Sequence, residues 1–228
     1  MIEMLNMDCM EFMKDVPDKA FDLAIVDPPY GIGNCINTNG KKHYKKMHWN
    51  QTIPPKKYFN ELYRISKNQI IWGANYYRKF VRHPGIIIHD KLNGGQFQGP
   101  KSLSDADIAS QSYNNLVKMF RYGWSGNRMN NTINFNNDGP DSRFHPTQKP
   151  IALYKWLLKN YAKPGDKILD THGGSGSICI SCYDMGFDLT WMEIDKDYYD
   201  AACQRFKRHT SQARLFEPEG IKPEQMTI

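Results

Sequence analysis

The chain lacks any apolar run near the roughly 20 residues that a membrane helix needs, so no membrane span is expected. Its opening stretch, "MIEMLNMDCMEFM", is broken by acids and has no basic start, so no signal peptide is expected and the expected location is cytoplasmic. Five cysteines, an odd number at irregular spacing, fit a reducing compartment and exclude a disulfide framework. Cys179 and Cys182 form a C-x-x-C, but two further ligands at zinc spacing are missing, so no metal is expected. There is no G-x-G-x-x-G and no Gly-Lys-Ser/Thr, which excludes the dinucleotide fingerprint and the phosphate loop. Internal repeats and low-complexity segments are also absent. Acid is scarce between Gly31 and Arg82, where Glu61 stands alone against eleven Lys and Arg. That segment carries +10 of a net +6, so the remainder sums to −4. Interleaved aromatics (His43, Tyr44, His48, Trp49, Tyr58, Phe59) suit a polyanion with stackable bases better than a merely solvated surface.

What is present is an α/β alternation in 228 residues, 40% hydrophobic and 24% charged, enough for one large soluble domain. "FDLAIVD" (21–27), "NQIIWG" (68–73), "GIIIHD" (85–90), "DKILD" (166–170) and "FDLTWMEID" (187–195) read as buried strands. Helical spacing follows at 54–66, 149–162, from the glycines of 173–176 onward, and at 196–209, with a short helix expected over "ANYYRKFV" (74–81). Such alternation predicts a mostly parallel sheet with helices on both faces. Residues 91–145 are rich in Gly, Asn, Ser and Asp, with weak strand signals at "DADIASQS" and "NLVKMFRYG", and read as a small polar insertion. The expected division is a single domain over 1–208 containing that insertion, and a loosely ordered tail over 209–228.

Two strand ends carry chemistry. "KILDTHGGSGS" is strand, acid, then glycines opening a helix, a nucleotide-binding layout in an open parallel sheet. Glycines let backbone approach a ligand, and Asp170 at the strand end repels pyrophosphate and favours a positive group. The next strand ends in "MEID", with Glu193 placed to accept hydrogen bonds from a ribose diol. A ligand with a ribose, an ammonium and a sulfonium is S-adenosylmethionine. The alternative is that Asp170 and Glu193 only cap the following helices. "DLAIVDPPYG" (22–31) ends a buried strand in an acid, two prolines and a tyrosine, either as a turn or as the working edge of a site.

Asp27-Pro28-Pro29-Tyr30, "HPTQKP" (145–150), "DTHGGSGS" (170–177) and "MEID" (192–195), in this order, resemble the β group of amino-directed DNA methyltransferases, over roughly residues 1–208. "LNGGQFQGPKSLSDADIA" is similar to versions found in phage and prophage genomes, so a bacterial or phage-encoded protein is expected. The resemblance implies a Rossmann-like S-adenosylmethionine-dependent methyltransferase whose insertion reads the target. It implies that Asp27 and the Pro28 carbonyl accept hydrogen bonds from an adenine N6 amine, that Pro29 stiffens the turn, and that Tyr30 stacks on the extruded base. It assigns Asp8 to the cofactor adenine amine, Glu193 to its ribose, and Ile194 to packing on its adenine. Asp170, Gly174 and Gly176 surround the methionine part, while Thr147, Gln148 and Lys149 lie near the methionine carboxylate, Lys149 supplying charge. Where the family often has Phe, this chain has His172; if that ring titrates, cofactor affinity varies between about pH 5.5 and 8.

For double-stranded DNA, the expected partner, Lys41, Lys42, Lys45 and Lys46 are candidates for phosphate contact. Arg121, Arg128, Asn130 and Asn131 are candidates for base readout. A homodimer and a cognate restriction nuclease remain open as partners. Cytosine C5 chemistry needs a cysteine nucleophile, usually after proline, but Asp8, Asn34, Ile178, Ser181 and Ala202 precede the cysteines. Cytosine N4 methylation, where Ser more often replaces the Asp, is the runner-up. A catalytically idle cofactor- or nucleic-acid-binding domain is the alternative of a different class.

Overall fold

The computed structural model describes residues 1–33, 52–95, 104–125, 128–129 and 148–211, without the side chains of 124–125 and 128–129. In chain order the elements are β1 (Ile2–Leu5), α1 (Cys9–Lys14), β2 (Phe21–Val26), α2 (Lys56–Ile65), β3 (Ser66–Trp72), β4 (Gly85–Asp90), β5 (Ala106–Gln111) and β6 (Val117–Arg121). There follow β7 (Trp124–Ser125), β8 (Arg128–Met129), α3 (Ile151–Tyr161), β9 (Lys167–Asp170), α4 (Ser177–Met185), β10 (Asp188–Met192) and α5 (Lys196–Thr210). Eight strands form one sheet in the order β1-β10-β9-β2-β3-β5-β4-β6, and β7 and β8 make a small hairpin. All pairs in the large sheet are parallel except those of β5 with β3 and β4.

Alternation along β2 divides the core between the two faces. Leu23 and Ile25 pack with side chains of α3, α4 and α5, including Leu153, Leu157, Ile178 and Ala202. Ala24 and Val26 pack with Met13 of α1 and with Tyr58, Phe59 and Leu62 of α2. Helices therefore cover both faces, as a parallel sheet of buried strands requires. The chain leaves β2 towards β3 on one side, and leaves β9 towards β10 on the other. The order reverses between β2 and β9, and the crevice past the C-terminal ends of such strands is where open α/β sheets bind ligands.

Three features depart from the sequence reading. Residues 106–121, placed within a polar insertion, supply β5 and β6 to the main sheet, with β5 hydrogen-bonded on both sides. The helix expected over 74–81 is two tight turns, closed by Tyr76 N–H to Gly73 C=O (2.8 Å) and Phe80 N–H to Tyr77 C=O (2.7 Å). So short a segment gains little from helix formation, and burial of the Tyr77 side chain fixes it instead. At the other end, β1 and α1 were not anticipated, although Asp8 and Glu11 stand at the spacing of a helix start. Asp8 caps α1 by accepting from Met10 N–H (2.7 Å).

Trp191 of β10 is fully buried directly beneath the glycine loop, and a Cβ on Gly173 would lie 1.8 Å from its indole. Gly173→Ala is expected to destabilise the fold by about 2 kcal/mol through overpacking. Gly165, at φ +88 with open space around it, is expected to lose only about 1 kcal/mol on replacement by Ala. Urea unfolding midpoints of the two variants check this ranking.

Candidate active site

Asp27 follows β2 directly, and the two prolines end the ladder there because neither has an N–H to donate. The Asp27 carboxylate is held from two sides. The Tyr30 hydroxyl donates to Oδ1, and Lys149 Nζ donates to Oδ2 at 2.6 Å and to the Tyr30 hydroxyl oxygen at 3.3 Å. Lys149 is 5% exposed and also lies 5.1 Å from the centre of the Trp72 ring. A buried ammonium needs such partners to remain charged. Asp107, at the start of the antiparallel β5, adds a second acid. Burial pushes its carboxyl up, but Lys149, His89 and Lys91 outweigh that and hold it below the usual carboxylate range.

The prolyl carbonyls are fixed by the buried Tyr77, whose hydroxyl lies 2.5 Å from the Pro28 oxygen and 2.6 Å from the Pro29 oxygen. Burial, then the Asp27 charge, raises the phenol far above its ordinary value, so it remains a donor. Tyr30 rests on Gly73, which sits at φ +78 and has no room for a Cβ: that atom would fall 2.4 Å from the Tyr30 ring. On the turn that follows, Tyr76 stacks on Tyr30 with centroids 4.9 Å apart and planes 15° from parallel. One Tyr30 face is therefore shared with Tyr76, which the sequence reading did not foresee.

Across the β2/β9 junction, the glycine loop and the end of β10 form the second half of the site. Gly174 and Gly176 take φ +52 and +68. Glu193 accepts from Gly174 N–H and from Asp195 N–H, both at 2.9 Å, which aims its carboxylate along the loop. Asp170 is 1% exposed and accepts from His172 N–H at 3.1 Å. Neither acid caps a helix. Asp195 caps α5, and Gly176 caps α4 with no side-chain bond. The capping alternative is thereby excluded. Ile194, 62% exposed beside Glu193, offers an apolar surface at the strand end.

Burial, then Asp27 and Glu193, pushes the Asp170 carboxyl up to about 8, although its bond from His172 opposes this. Burial also raises Glu193. Asp170 and Glu193 together suit a ligand that brings positive charge, and the fixed Glu193 carboxylate has lone pairs left for a diol. With the glycine backbone and Ile194, these residues fit the sulfonium nucleoside expected from the sequence. His172 is half-buried, and burial pushes its imidazole down to about 4, so it stays neutral through the pH 5.5 to 8 window in which its titration was expected to matter.

Gln148 and Lys149 are buried at the start of α3, and Ser177 Oγ ties the Lys149 carbonyl to the glycine loop at 2.8 Å. Arg205 of α5 donates to the Ser175 carbonyl (2.9 Å) and to Ser177 Oγ (3.0 Å), bracing the same loop. Arg121 ends β6 on the sheet edge that carries Asp27. It is 64% exposed and 3.6 Å from Asp90. Thr147, Lys41, Lys42, Lys45, Lys46, Asn130, Asn131 and the Arg128 side chain lie outside the described residues. Cys179 and Cys182 are buried in the core on α4, where burial raises both thiols. Among the described residues no cluster of His, Cys, Asp or Glu could hold a metal, and no helix is long and apolar enough to cross a membrane.

A family model described as DNA methylase, of the N6/N4 type, matches residues 48–204. The chain belongs to the DNA methylase family. The matched stretch takes in the glycine loop and Glu193, while the Asp27–Tyr30 corner of this methylase precedes it. Type II methyltransferase M.HpaI of Haemophilus parainfluenzae is 25% identical over 87% of this chain and 72% of its own length. The crystal structure of the M1.HpyAVI–SAM complex aligns with a TM-score of 0.55 at 19% identity, covering 90% of this chain and 100% of that one. PvuII DNA methyltransferase, described as cytosine-N4-specific, aligns with a TM-score of 0.60 at 13% identity, covering 92% and 90%. These alignments bear out the expected mostly parallel α/β fold of a DNA methyltransferase.

The raised Asp170 has a consequence for stability. Between its ordinary value and about 8, the folded methylase holds a proton that the unfolded chain releases, so this group's contribution to stability falls as pH rises towards 8. Asp170→Asn is expected to flatten that slope. Urea unfolding of both proteins at about pH 6 and pH 8 measures it.

Proposed function

We propose that this methylase transfers a methyl group from S-adenosylmethionine to the exocyclic N6 amine of adenine in double-stranded DNA. The observation that carries the reading is the pairing of an ionisable acceptor, Asp27, with a pinned carbonyl, Pro28, on the wall shared with the glycine loop. When bound, S-adenosylmethionine supplies an electrophilic methyl group. The chain's own work is to aim a poor nucleophile at it. Adenine N6 has its lone pair delocalised into the ring. Hydrogen bonds from its two N–H groups to Asp27 and the Pro28 carbonyl favour a pyramidal nitrogen with the lone pair directed out of the ring plane. This is positioning and preorganised electrostatics, with no covalent enzyme intermediate.

Asp27 Oδ1 receives the Tyr30 hydroxyl in this structure, so the incoming amine shares or replaces that bond, while Lys149 keeps Oδ2. We place Lys149 with the clamp for this reason: its charge is already matched by Asp27. The ammonium holds the Asp27 carboxylate in place while the amine binds, and the carboxylate then receives the proton that nitrogen loses after transfer. N6 lies within the stack of a duplex, so the base leaves it to reach this pocket. The Tyr30–Tyr76 pair supplies aromatic surface beside Asp27 for the extruded ring. Asp at the first position of the motif, rather than Ser, supports adenine over cytosine.

In a labelled-methyl transfer assay on duplex DNA, Asp27→Ala is expected to lose at least about 100-fold in rate while binding S-adenosylmethionine within about threefold of wild type. Equal transfer by that variant contradicts the clamp. Tyr77→Phe keeps the ring and removes the donor to Pro28 and Pro29. It is expected to lower the maximal rate about tenfold, the scale of one lost hydrogen bond, with cofactor affinity unchanged. Single-turnover rates alongside calorimetric cofactor binding separate the two effects.

A further inference from the structure

Tyr58 of α2, Thr171 and His172 form a hydrogen-bonded row behind the glycine loop. The Tyr58 hydroxyl lies 2.7 Å from Thr171 Oγ1, which in turn lies 3.0 Å from His172 Nδ1. Tyr58 and Thr171 are buried, 1% and 3% exposed. The Tyr58 ring also meets the imidazole edge to face, centroids 5.1 Å apart at 82°, and so braces the plane of His172. Two hydroxyl protons and one imidazole proton have to be placed along this row. Thr171 is the one hydrogen-bond partner of the Tyr58 hydroxyl among the described residues, so the Tyr58 proton points at Thr171. The Thr171 proton then points at Nδ1, which must accept it. The reverse order would bury the Tyr58 proton with no acceptor, a costly arrangement away from water. The imidazole is neutral, so its single proton sits on Nε2. Nε2 has no hydrogen-bond partner among the described residues; His172 is half-buried, lies in the chain between Asp170 and the glycine loop, and is near enough to Asp8 for that charge to act on its ring.

We infer that His172 is a hydrogen-bond donor in the cofactor cleft, its proton fixed on Nε2 by Tyr58 and Thr171, and that it donates to an acceptor atom on the adenosine part of the cofactor. The inference rests on the cofactor reading proposed above and goes beyond it. A residue singled out only for its possible titration becomes a polar binding residue with a set tautomer. The adenosine part is favoured because Asp8, the group expected at the adenine amine, is near enough for its charge to act on the His172 ring.

The test is a long-range 15N-1H correlation spectrum of the full chain, with the His172 signal among seven histidines assigned by its loss in His172→Phe. In the protein without added ligand, His172 is expected to show a protonated Nε2 and a bare Nδ1. An Nδ1-protonated ring overturns the inference and leaves the cofactor reading standing. Adenosine and S-adenosylmethionine are expected to shift the Nε2 resonance, and methionine alone is not. An Nε2 signal unmoved by bound S-adenosylmethionine overturns the inference. Calorimetry supplies the second readout. His172→Phe keeps a flat ring without the donor and is expected to bind S-adenosylmethionine about threefold to tenfold more weakly, one hydrogen bond's worth; equal or tighter binding overturns the inference. Failure of the wild-type chain to bind S-adenosylmethionine at all overturns the cofactor reading, and this inference with it.

Discussion

The contact between Lys149 Nζ and Asp27 Oδ2 joins two residues 122 positions apart in the chain, and the site depends on it. Asp27 ends β2, and Lys149 precedes α3, the helix that leads into β9. The pair therefore closes across the point where strand order reverses. A buried ammonium and a buried carboxylate are each unfavourable alone, and breaking such a pair from one side costs about 3–5 kcal/mol. Lys149 is also tied through its carbonyl to Ser177, which Arg205 braces. One hydrogen-bonded path thus runs from α5 through the glycine loop to Asp27, the proposed amine clamp, so the two halves of the cleft are held in register.

Electrostatics divides the labour within that frame. Asp27 has Lys149 bonded to it and Asp107 has Lys91 at 3.0 Å, a neutralised corner suited to a neutral amine. Asp170 and Glu193 have backbone N–H groups for partners and, among the described residues, no Lys or Arg hydrogen-bonded to them. That half of the cleft is short of positive charge, and the upward displacement of Asp170 is the physical expression of the shortage. A sulfonium cofactor remedies it, whereas a pyrophosphate would aggravate it.

Much of this was legible in the sequence because it is local. Prolines after an apolar run mark a strand end, and glycines after "KILD" mark a loop that needs positive φ, so Asp27, Asp170 and Glu193 could be assigned to strand ends without coordinates. Residues whose role depends on tertiary contact were not legible. Nothing in "WGANYY" announces that Tyr77 reaches the Pro28 and Pro29 carbonyls, or that Gly73 clears a seat for Tyr30. Asp107 lay in a stretch that read as insertion. Its position beside the Lys149 charge follows from β5 entering the sheet against the direction of its neighbours, a pairing that weak local strand signals do not determine. The Tyr58–Thr171–His172 row joins residues more than a hundred positions apart and has no sequence signature.

The central claim is that the Asp27 corner selects an exocyclic amine, and adenine N6 in particular. Its most direct test is base-resolved analysis of DNA from cells expressing the chain, with the Asp27→Ala form as control. The account predicts N6-methyladenine at a recurring short sequence in the wild-type culture and none above background in the control. N4-methylcytosine instead, or N6-methyladenine that persists in the Asp27→Ala culture, would contradict it.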